Sequence, residues 1–168
     1  VGSVQNMLKK LGHKSLITSK PEELAQASKI ILPGVGLFDV AMTNLKNLGI
    51  VEEIKKKVLE EKTPLLGICL GMQLLTDSSE EGALPGFGYI AGRTVRFKLP
   101  EGSNLKVPHM GWSKVEVKKP SLLFDDTTKE RFFYFVHTYH VVCDDPSDIL
   151  TETTYGYSFT SAFERGHI

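Results

Sequence analysis

The sequence predicts an α/β domain with a mixed, largely parallel central sheet, helices that flank the sheet, and additional antiparallel strands. Three observations support this fold class. Short apolar segments of strand length alternate with segments of helical periodicity through the first half of the chain. Six further strand-like segments follow in the second half, separated by Gly, Pro, Asn and Asp. With 41% apolar residues, residues 1–168 are expected to form one domain around one core.

The first half reads as helices and strands in alternation, which is typical of a parallel sheet covered by helices. Apolar periodicity predicts four helices, over residues 3–11, 21–27, 38–48 and 51–61. Compact apolar runs predict three strands, over residues 15–18, 29–32 and 64–68. Ser3 is a candidate N-cap for the first helix, and Pro33 and Gly34 stop the second strand.

The second half of the chain is rich in strand signals. Predicted strands cover residues 93–97, 114–117, 131–136, 140–143, 149–154 and 158–163. Long loops are expected over residues 99–112 and 118–129. We expect these strands to extend the sheet in mixed or antiparallel orientation.

The charge balance excludes several classes of function. Twenty basic residues match twenty acidic ones, so the chain lacks the positive surplus typical of nucleic-acid-binding and membrane-surface proteins. No apolar run reaches the eighteen residues of a membrane span, and the first residues do not read as a secretory signal. We therefore expect a cytoplasmic protein whose partner is a small molecule or another protein.

Cysteine and histidine usage predicts neither a disulfide framework nor a metal site. The two cysteines, Cys69 and Cys143, have no paired spacing that would hold zinc. The five histidines include no pair at the four-residue helical spacing of metal ligands. We therefore expect no metal and no cofactor, and each cysteine is interpreted by its own surroundings.

The segment Gly67-Ile-Cys-Leu-Gly71 joins an apolar strand to a helical pattern, which is typical of a nucleophile elbow. A residue on so sharp a turn points its side chain out of the sheet, and only glycines leave room for the crowded backbone. A helix that begins just after Cys69 also places unpaired amides beside the sulfur, which favours a reactive cysteine. Cys143 lacks such glycines and is interpreted as structural. An elbow alone does not separate a hydrolase or a peptidase from an amidotransferase.

A second glycine cluster, Ile31-Leu-Pro-Gly-Val-Gly36, also follows an apolar strand and precedes a helix. Taken alone, it reads as an ordinary strand-to-helix turn, and the alternative is a loop whose backbone amides face a reacting carbonyl. The cluster lacks the third glycine and the downstream acid of a dinucleotide-binding fingerprint, which argues against nucleotide binding.

Four segments occur in an order and spacing that resemble the class I, triad-type glutamine amidotransferases. They are Pro33-Gly-Val-Gly36, Gly67-Ile-Cys-Leu-Gly-Met-Gln73, Pro108-His-Met-Gly-Trp112 and Phe135-Val-His-Thr-Tyr139. The second is specific for the class, and the last two are most similar to the glutaminase subunits of imidazole glycerol phosphate synthases, which serve histidine biosynthesis. The resemblance covers nearly the whole chain and implies a flavodoxin-like α/β fold.

The resemblance also implies the chemistry of the site. Cys69 would attack the side-chain amide of glutamine, ammonia would leave, and water would release glutamate from the thioester. The backbone amides of Val35, Gly36 and Leu70 would hold the oxyanion, whose charge develops only in the tetrahedral state.

The same resemblance implies which residues bind the substrate. Glutamine would be held by Gly34, Gln73, Thr138 and Tyr139. His137 is a tempting general base, but we interpret it as a hydrogen-bonded histidine at a strand end, because it is not the triad histidine of the family.

A heterodimeric partner follows from the resemblance as well. The glutaminase would pass ammonia to a synthase subunit of barrel type, with His109, Met110 and Trp112 at the interface between the two subunits. Core packing of Trp112 is the alternative for this segment.

Two features of the family pattern have no counterpart in residues 1–168. The triad histidine and glutamate of the family come in a His-Pro-Glu segment soon after a strand similar to residues 161–168, and no His-x-Glu occurs in the sequence. The apolar strand that precedes the first helix in the family is also absent. The resemblance therefore implies a domain without its first strand and without two triad residues, and little activity for this chain alone.

Three alternatives stay open from the sequence. Ser113 stands where the histidine-pathway subunits usually have asparagine, which keeps open a paralogous glutaminase for amination of a bacterial surface sugar. A chain without the triad residues could instead bind and regulate a synthase without catalysis. An unrelated cysteine hydrolase is disfavoured because it would not predict Gln73 together with the His-Met-Gly-Trp segment.

Overall fold

A computed structural model describes residues 1–124 and 129–168. Its helices are α1 (Gly2–Lys10), α2 (Pro21–Leu24), α3 (Phe38–Asn47), α4 (Val51–Lys55) and α5 (Leu70–Gln73). A π-helical turn over Lys56–Glu60 continues α4, and a short 3-10 turn covers Pro146–Asp148. The strands are β1 (Ile30–Gly34), β2 (Leu65–Cys69), β3 (Ser78–Ser79), β4 (Gly92–Arg96), β5 (His109–Val117), β6 (Arg131–His137), β7 (Tyr139–Cys143), β8 (Ile149–Tyr155) and β9 (Tyr157–Phe163).

The parallel part of the fold brings two strand ends together. Strands β1 and β2 pair in parallel and are connected through α3 and α4, as the alternating pattern of the first half predicts. Their register sets Gly34 directly beside Cys69. Both glycine-containing segments found in the sequence therefore lie at the same edge of this strand pair.

The remaining strands form a seven-stranded sheet in the order β3-β4-β7-β9-β8-β5-β6. All of its pairings are antiparallel except that of β3 with β4. The six strands predicted for the second half are all present, and the predicted α/β class with additional antiparallel strands is confirmed.

Three local predictions are wrong. The first helix begins at Gly2 with Val1 at the N-cap position, so Ser3 lies inside α1 and does not cap it. Residues 15–18 form no strand, because no described strand pairs with their backbone. The Ser15 carbonyl accepts a hydrogen bond from the Gln5 side chain at 3.2 Å instead. The loop predicted over 99–112 ends at residue 108, because the backbone of residues 109–112 pairs with β6. The loop predicted over 118–129 lies partly outside the described residues.

Two apolar clusters hold the strand edge in place. One packs α4 and its π-helical turn against β1 and β2 through residues such as Ile54, Val58 and Leu65. The other combines Phe38 and Met42, one turn apart on α3, with Leu70 and Leu74 of the segment that follows β2. This apolar packing therefore anchors the turn that follows Cys69.

Neither a membrane-spanning helix nor a metal-binding cluster occurs in residues 1–124 and 129–168. None of the helices there has the length and apolar character needed to cross a membrane. No group of three or more His, Cys, Asp or Glu side chains in the same ranges is arranged to hold a metal ion.

Candidate active site

Cys69 occupies a strained turn between β2 and α5. Its backbone has φ 56° and ψ −117°, in the positive-φ region that non-glycine residues rarely adopt. Strain of this kind costs about 1–3 kcal/mol and is concentrated at functional sites. The side chain is exposed to solvent. The strand-turn-helix elbow predicted from the sequence is therefore confirmed.

Glycines on both sides of Cys69 make the turn sterically feasible. A Cβ atom on Gly71 would lie 1.7 Å from the carbonyl oxygen of Leu32, and one on Gly67 would lie 2.7 Å from the Cα of Met72. Both collisions are with backbone atoms, which cannot rotate away as a side chain would. The two glycines therefore allow β1, β2 and α5 to approach one another closely.

The glycine loop, residues 34–36, lies beside the elbow. Gly34 pairs with Cys69 in the strand register, and a Cβ on Gly34 would approach the Cβ of Leu70 to 3.0 Å. Val35 is exposed, and Gly36 has φ +104°, a conformation that favours glycine. Leu70 is the first residue of α5, so its amide lacks a partner within the helix. The structure thus brings together all three residues expected to hold an oxyanion.

Gln73 and Tyr139 also meet at this site. Gln73 lies one helical turn after Cys69, and its side-chain nitrogen is 3.5 Å from the carbonyl oxygen of Tyr139, the first residue of β7. Thr138 is the connection between β6 and β7, where its carbonyl accepts a hydrogen bond from the Phe97 amide at 3.1 Å. The antiparallel sheet therefore contributes one wall of the site.

His137 is engaged through both ring nitrogens. Its Nδ1 is 2.8 Å from the carbonyl oxygen of Tyr139, and its Nε2 is 2.9 Å from Nδ1 of His109. Burial lowers the pKa of His137 to about 4. The interpretation of His137 as a hydrogen-bonded histidine at the end of a strand is confirmed.

No hydrogen bond joins Cys69 to a histidine in the ranges 1–124 and 129–168. His167 lies at the opposite end of β2, where its carbonyl accepts a hydrogen bond from Leu65 and its ring contacts the Val58 carbonyl at 2.7 Å. Four residues of extended strand place Leu65 roughly 13 Å from Cys69. His140 uses its ring nitrogens on the Val141 carbonyl and on a tyrosine hydroxyl.

The three residues expected at a partner interface divide between the surface and the interior. Met110 and Trp112 are 60% and 71% exposed, which excludes core packing of Trp112. His109 is only 1% exposed, so the expectation that its side chain faces a partner is wrong. Successive residues of a strand point to opposite faces of the sheet. Because His109 directly precedes the exposed Met110, the side chain of His109 faces inward.

Cys143 differs from Cys69 in its surroundings. It is partly buried at the end of β7, where burial raises the pKa of its thiol to about 11. A thiol of this kind stays protonated and is a poor nucleophile, in keeping with a structural role.

Two acidic residues near the glycine loop carry no recognisable signal in the sequence. The Glu81 carboxylate accepts a hydrogen bond from the Phe38 amide at 2.9 Å, at the first residue of α3. Asp39 accepts the amides of Ala83 and Leu84 at 2.9 and 3.0 Å, which lowers the pKa of its carboxyl. Both contacts tie residues 81–84 to the start of α3, more than forty positions away in the chain, which no local pattern predicts.

Comparison with known proteins agrees with this geometry. The family described as glutamine amidotransferase class-I matches residues 2–164. The "Imidazole glycerol phosphate synthase subunit HisH 2" of Methanococcus maripaludis is 52% identical over 168 residues, which cover all of this chain and 82% of that protein. The corresponding HisH subunit of Sulfurimonas denitrificans is 45% identical over 170 residues, covering all of this chain and 81% of that protein.

Solved structures agree in fold. A crystal structure described as a glutamine amidotransferase superposes with a TM-score of 0.66 at 18% identity, covering 94% of this chain and 82% of the other. The likeness of the fold, the match over nearly the entire sequence and the strained cysteine between two close-packed glycines lead to one conclusion: the chain belongs to the class I glutamine amidotransferase family.

Proposed function

We propose that the chain is the glutaminase subunit of an imidazole glycerol phosphate synthase and supplies ammonia for histidine biosynthesis. The two relatives named above are HisH subunits, and each match covers the full length of this chain. The single observation that supports the chemistry is the exposed Cys69 on a strained turn, beside the glycine loop and at the start of α5. Strained residues are concentrated at active sites, which supports a chemical role for the side chain at this position.

In the proposed reaction, the Cys69 sulfur attacks the side-chain carbon of glutamine. The carbonyl oxygen becomes an oxyanion, which amides of Leu70 and of Val35 or Gly36 stabilise, at about 3 kcal/mol for one well-placed donor. The C–N bond then breaks, ammonia departs, and a thioester remains on Cys69. Water hydrolyses the thioester to glutamate and returns the free thiol.

The substrate would lie between the glycine loop and the start of β7. Gly34 lets β1 pack closely against the start of α5 beside Cys69, and Gln73 offers an amide group one turn further along α5. Thr138 and Tyr139 would contact the backbone groups of glutamine from the other wall. Amide and hydroxyl groups of this kind match the polar ends of a free amino acid.

The reactivity of the two cysteines tests the nucleophile. We expect a diazo-ketone analogue of glutamine to label Cys69 about two orders of magnitude faster than Cys143, because only Cys69 is exposed on a strained turn and Cys143 is partly buried. Peptide mass spectrometry after a time course gives both rates in one experiment. Labelling of Cys143 with Cys69 unmodified would refute the assignment.

An exposed apolar surface supports the proposed heterodimer. The register of β5 and β6 pairs Met110 with Val136 and Trp112 with Tyr134. With Phe132, these four side chains form the docking face, each of them more than half exposed. Aromatic residues and methionine are enriched in protein interfaces, and a contiguous apolar patch marks an interaction site. A synthase subunit of barrel type is the partner we propose for the docking face.

Replacing Trp112 by Ala tests the docking face. We expect Kd for the synthase subunit to rise roughly thirtyfold, since loss of a central aromatic anchor costs about 2 kcal/mol. The midpoint of thermal unfolding should not fall, because the side chain is 71% exposed. Calorimetric titration with the synthase gives Kd, and Leu48→Ala, an exposed leucine after α3, is the control. Unchanged affinity with reduced stability would contradict the proposal.

A further inference from the structure

A chain of hydrogen bonds crosses the aromatic core from β5 to the candidate active site. The Ser113 hydroxyl is 2.9 Å from Nε2 of His109, and Nδ1 of His109 is 2.9 Å from Nε2 of His137. Nδ1 of His137 is 2.8 Å from the carbonyl oxygen of Tyr139. The same oxygen is 3.5 Å from the side-chain nitrogen of Gln73. The chain thus ends at a residue that the proposed function assigns to glutamine binding.

The carbonyl at one end determines the direction of every bond. A carbonyl oxygen only accepts, so His137 carries its proton on Nδ1 and its Nε2 is an acceptor. His109 must then donate from Nδ1, which leaves its Nε2 to accept from the Ser113 hydroxyl. Both histidines are neutral in this arrangement, and each has a single tautomer.

The surroundings keep the two rings neutral. His109 is stacked between the rings of Phe135 and Tyr155, at centroid distances of 4.9 and 4.0 Å, and Phe97 contacts His137 edge-on at 5.1 Å. Burial lowers the pKa of both histidines. Among the described contacts, neither ring has a charged partner. Each ring bonds to the other ring and to one further group, which is the Ser113 hydroxyl for His109 and the Tyr139 carbonyl for His137.

This hydrogen-bonded chain places more polar groups in the aromatic core than packing requires. Phenylalanine at both positions would fill an aromatic core without any polar group to satisfy, and buried polar groups are tolerated only when their hydrogen bonds are made. A paired donor and acceptor that end on one carbonyl instead fix that carbonyl in space. Since the oxygen already holds a bond of 2.8 Å from His137, it presents its second lone pair towards Gln73.

We propose that His109 and His137 are positioning residues that orient Gln73 for glutamine binding by fixing the carbonyl of Tyr139. The proposal deepens the proposed glutaminase function and rests on it. With its nitrogen directed at this carbonyl, Gln73 leaves its side-chain oxygen free to accept a hydrogen bond from the substrate. The pair acts through Gln73 and does not touch the reacting atoms.

The test measures saturable labelling of Cys69 by the diazo-ketone analogue of glutamine, with the full chain bound to its synthase partner. We expect His137→Phe to raise the half-saturating concentration about tenfold, the effect of one hydrogen bond that orients a ligand-binding group. The maximal labelling rate, and the rate with iodoacetamide, which needs no glutamine site, should stay within about twofold. His137→Asn, which keeps a donor near the position of Nδ1, should recover most of the affinity.

A double-mutant cycle separates positioning from general damage. Gln73→Ala alone should raise the half-saturating concentration, and His137→Phe added to it should change the value less than twofold, because the effect passes through Gln73. His140→Phe is the matched control, since His140 lies in the same aromatic cluster but bonds to the Val141 carbonyl and the Tyr157 hydroxyl. It should leave the half-saturating concentration unchanged.

The outcomes are distinct. Additive effects of the two substitutions, or an equal loss in His140→Phe, would overturn the positioning role while leaving the glutaminase function intact. Failure of the unsubstituted chain to show saturable labelling at Cys69 would overturn both. If His137→Phe does not fold, His109→Phe removes the donor to His137 and must give the same non-additivity with Gln73→Ala.

Discussion

Replacing Gly71 by Ala is expected to destroy the elbow and most of the stability of the chain. The added methyl carbon would lie 1.7 Å from the Leu32 carbonyl oxygen, well inside van der Waals contact. The added carbon is fixed to the backbone of Gly71, and the oxygen it meets belongs to the backbone of Leu32, so neither can rotate away. β1 must therefore separate from the segment that follows β2, which breaks the parallel pairing that sets Gly34 beside Cys69. We expect the free energy of unfolding to fall by more than about 3 kcal/mol, at the upper end for overpacking.

Urea unfolding followed by circular dichroism measures this loss, and Gly2→Ala is the matched control. Gly2 lies on α1 with no atom within 4 Å of the position of its Cβ, so the same substitution there meets nothing. An alanine in an exposed helix should cost nothing or stabilise slightly. A Gly71→Ala protein as stable as the Gly2→Ala protein would show that β1 and the elbow are not packed as described.

Residues 1–168 alone are expected to release glutamate from glutamine no faster than the Cys69→Ser variant, even with the synthase and its ligand present. Formation of the thioester needs a base for the thiol and an acid for the departing ammonia, together worth about 10²–10⁴ or more in rate. His109, His137 and His140 have both ring nitrogens engaged, and His167 lies at the far end of β2.

Joining a segment with His-Pro-Glu after residue 168 should restore turnover, by analogy with the family pattern. Glutamate release is measured for both chains, each with its Cys69→Ser variant as the zero. Robust turnover by residues 1–168 that His137→Gln abolishes would identify His137 as the base and would refute our interpretation of that residue.

The sequence predicts best the features that rest on local chemistry. Helix periodicity, the apolar strand before Cys69 and the glycines on either side of it are all short-range signals, and the elbow follows from them because its steric demands are local. The strands of the second half are recognisable for the same reason, since β-branched and aromatic residues alternate between turn residues.

Features that depend on pairing between distant segments could not be predicted from the sequence. Residues 109–112 form a strand because β6 pairs with them, and residues 15–18 form none because no described strand pairs with them. The inward orientation of His109 follows from strand register, and its bond to His137 spans twenty-eight positions. The spacing of residues along the sequence gives neither the distance between two side chains nor the direction in which a side chain points.

The position of the docking face in the sheet has a consequence for the subunit before it meets a partner. β6 is the last strand in the order of the seven-stranded sheet, so one side of its backbone has no neighbouring strand among the described residues. An edge strand with Phe132, Tyr134 and Val136 exposed is a template for pairing with a second chain. We expect the isolated chain to self-associate more readily than the same chain with a partner bound over this edge, which light scattering of the two samples would measure.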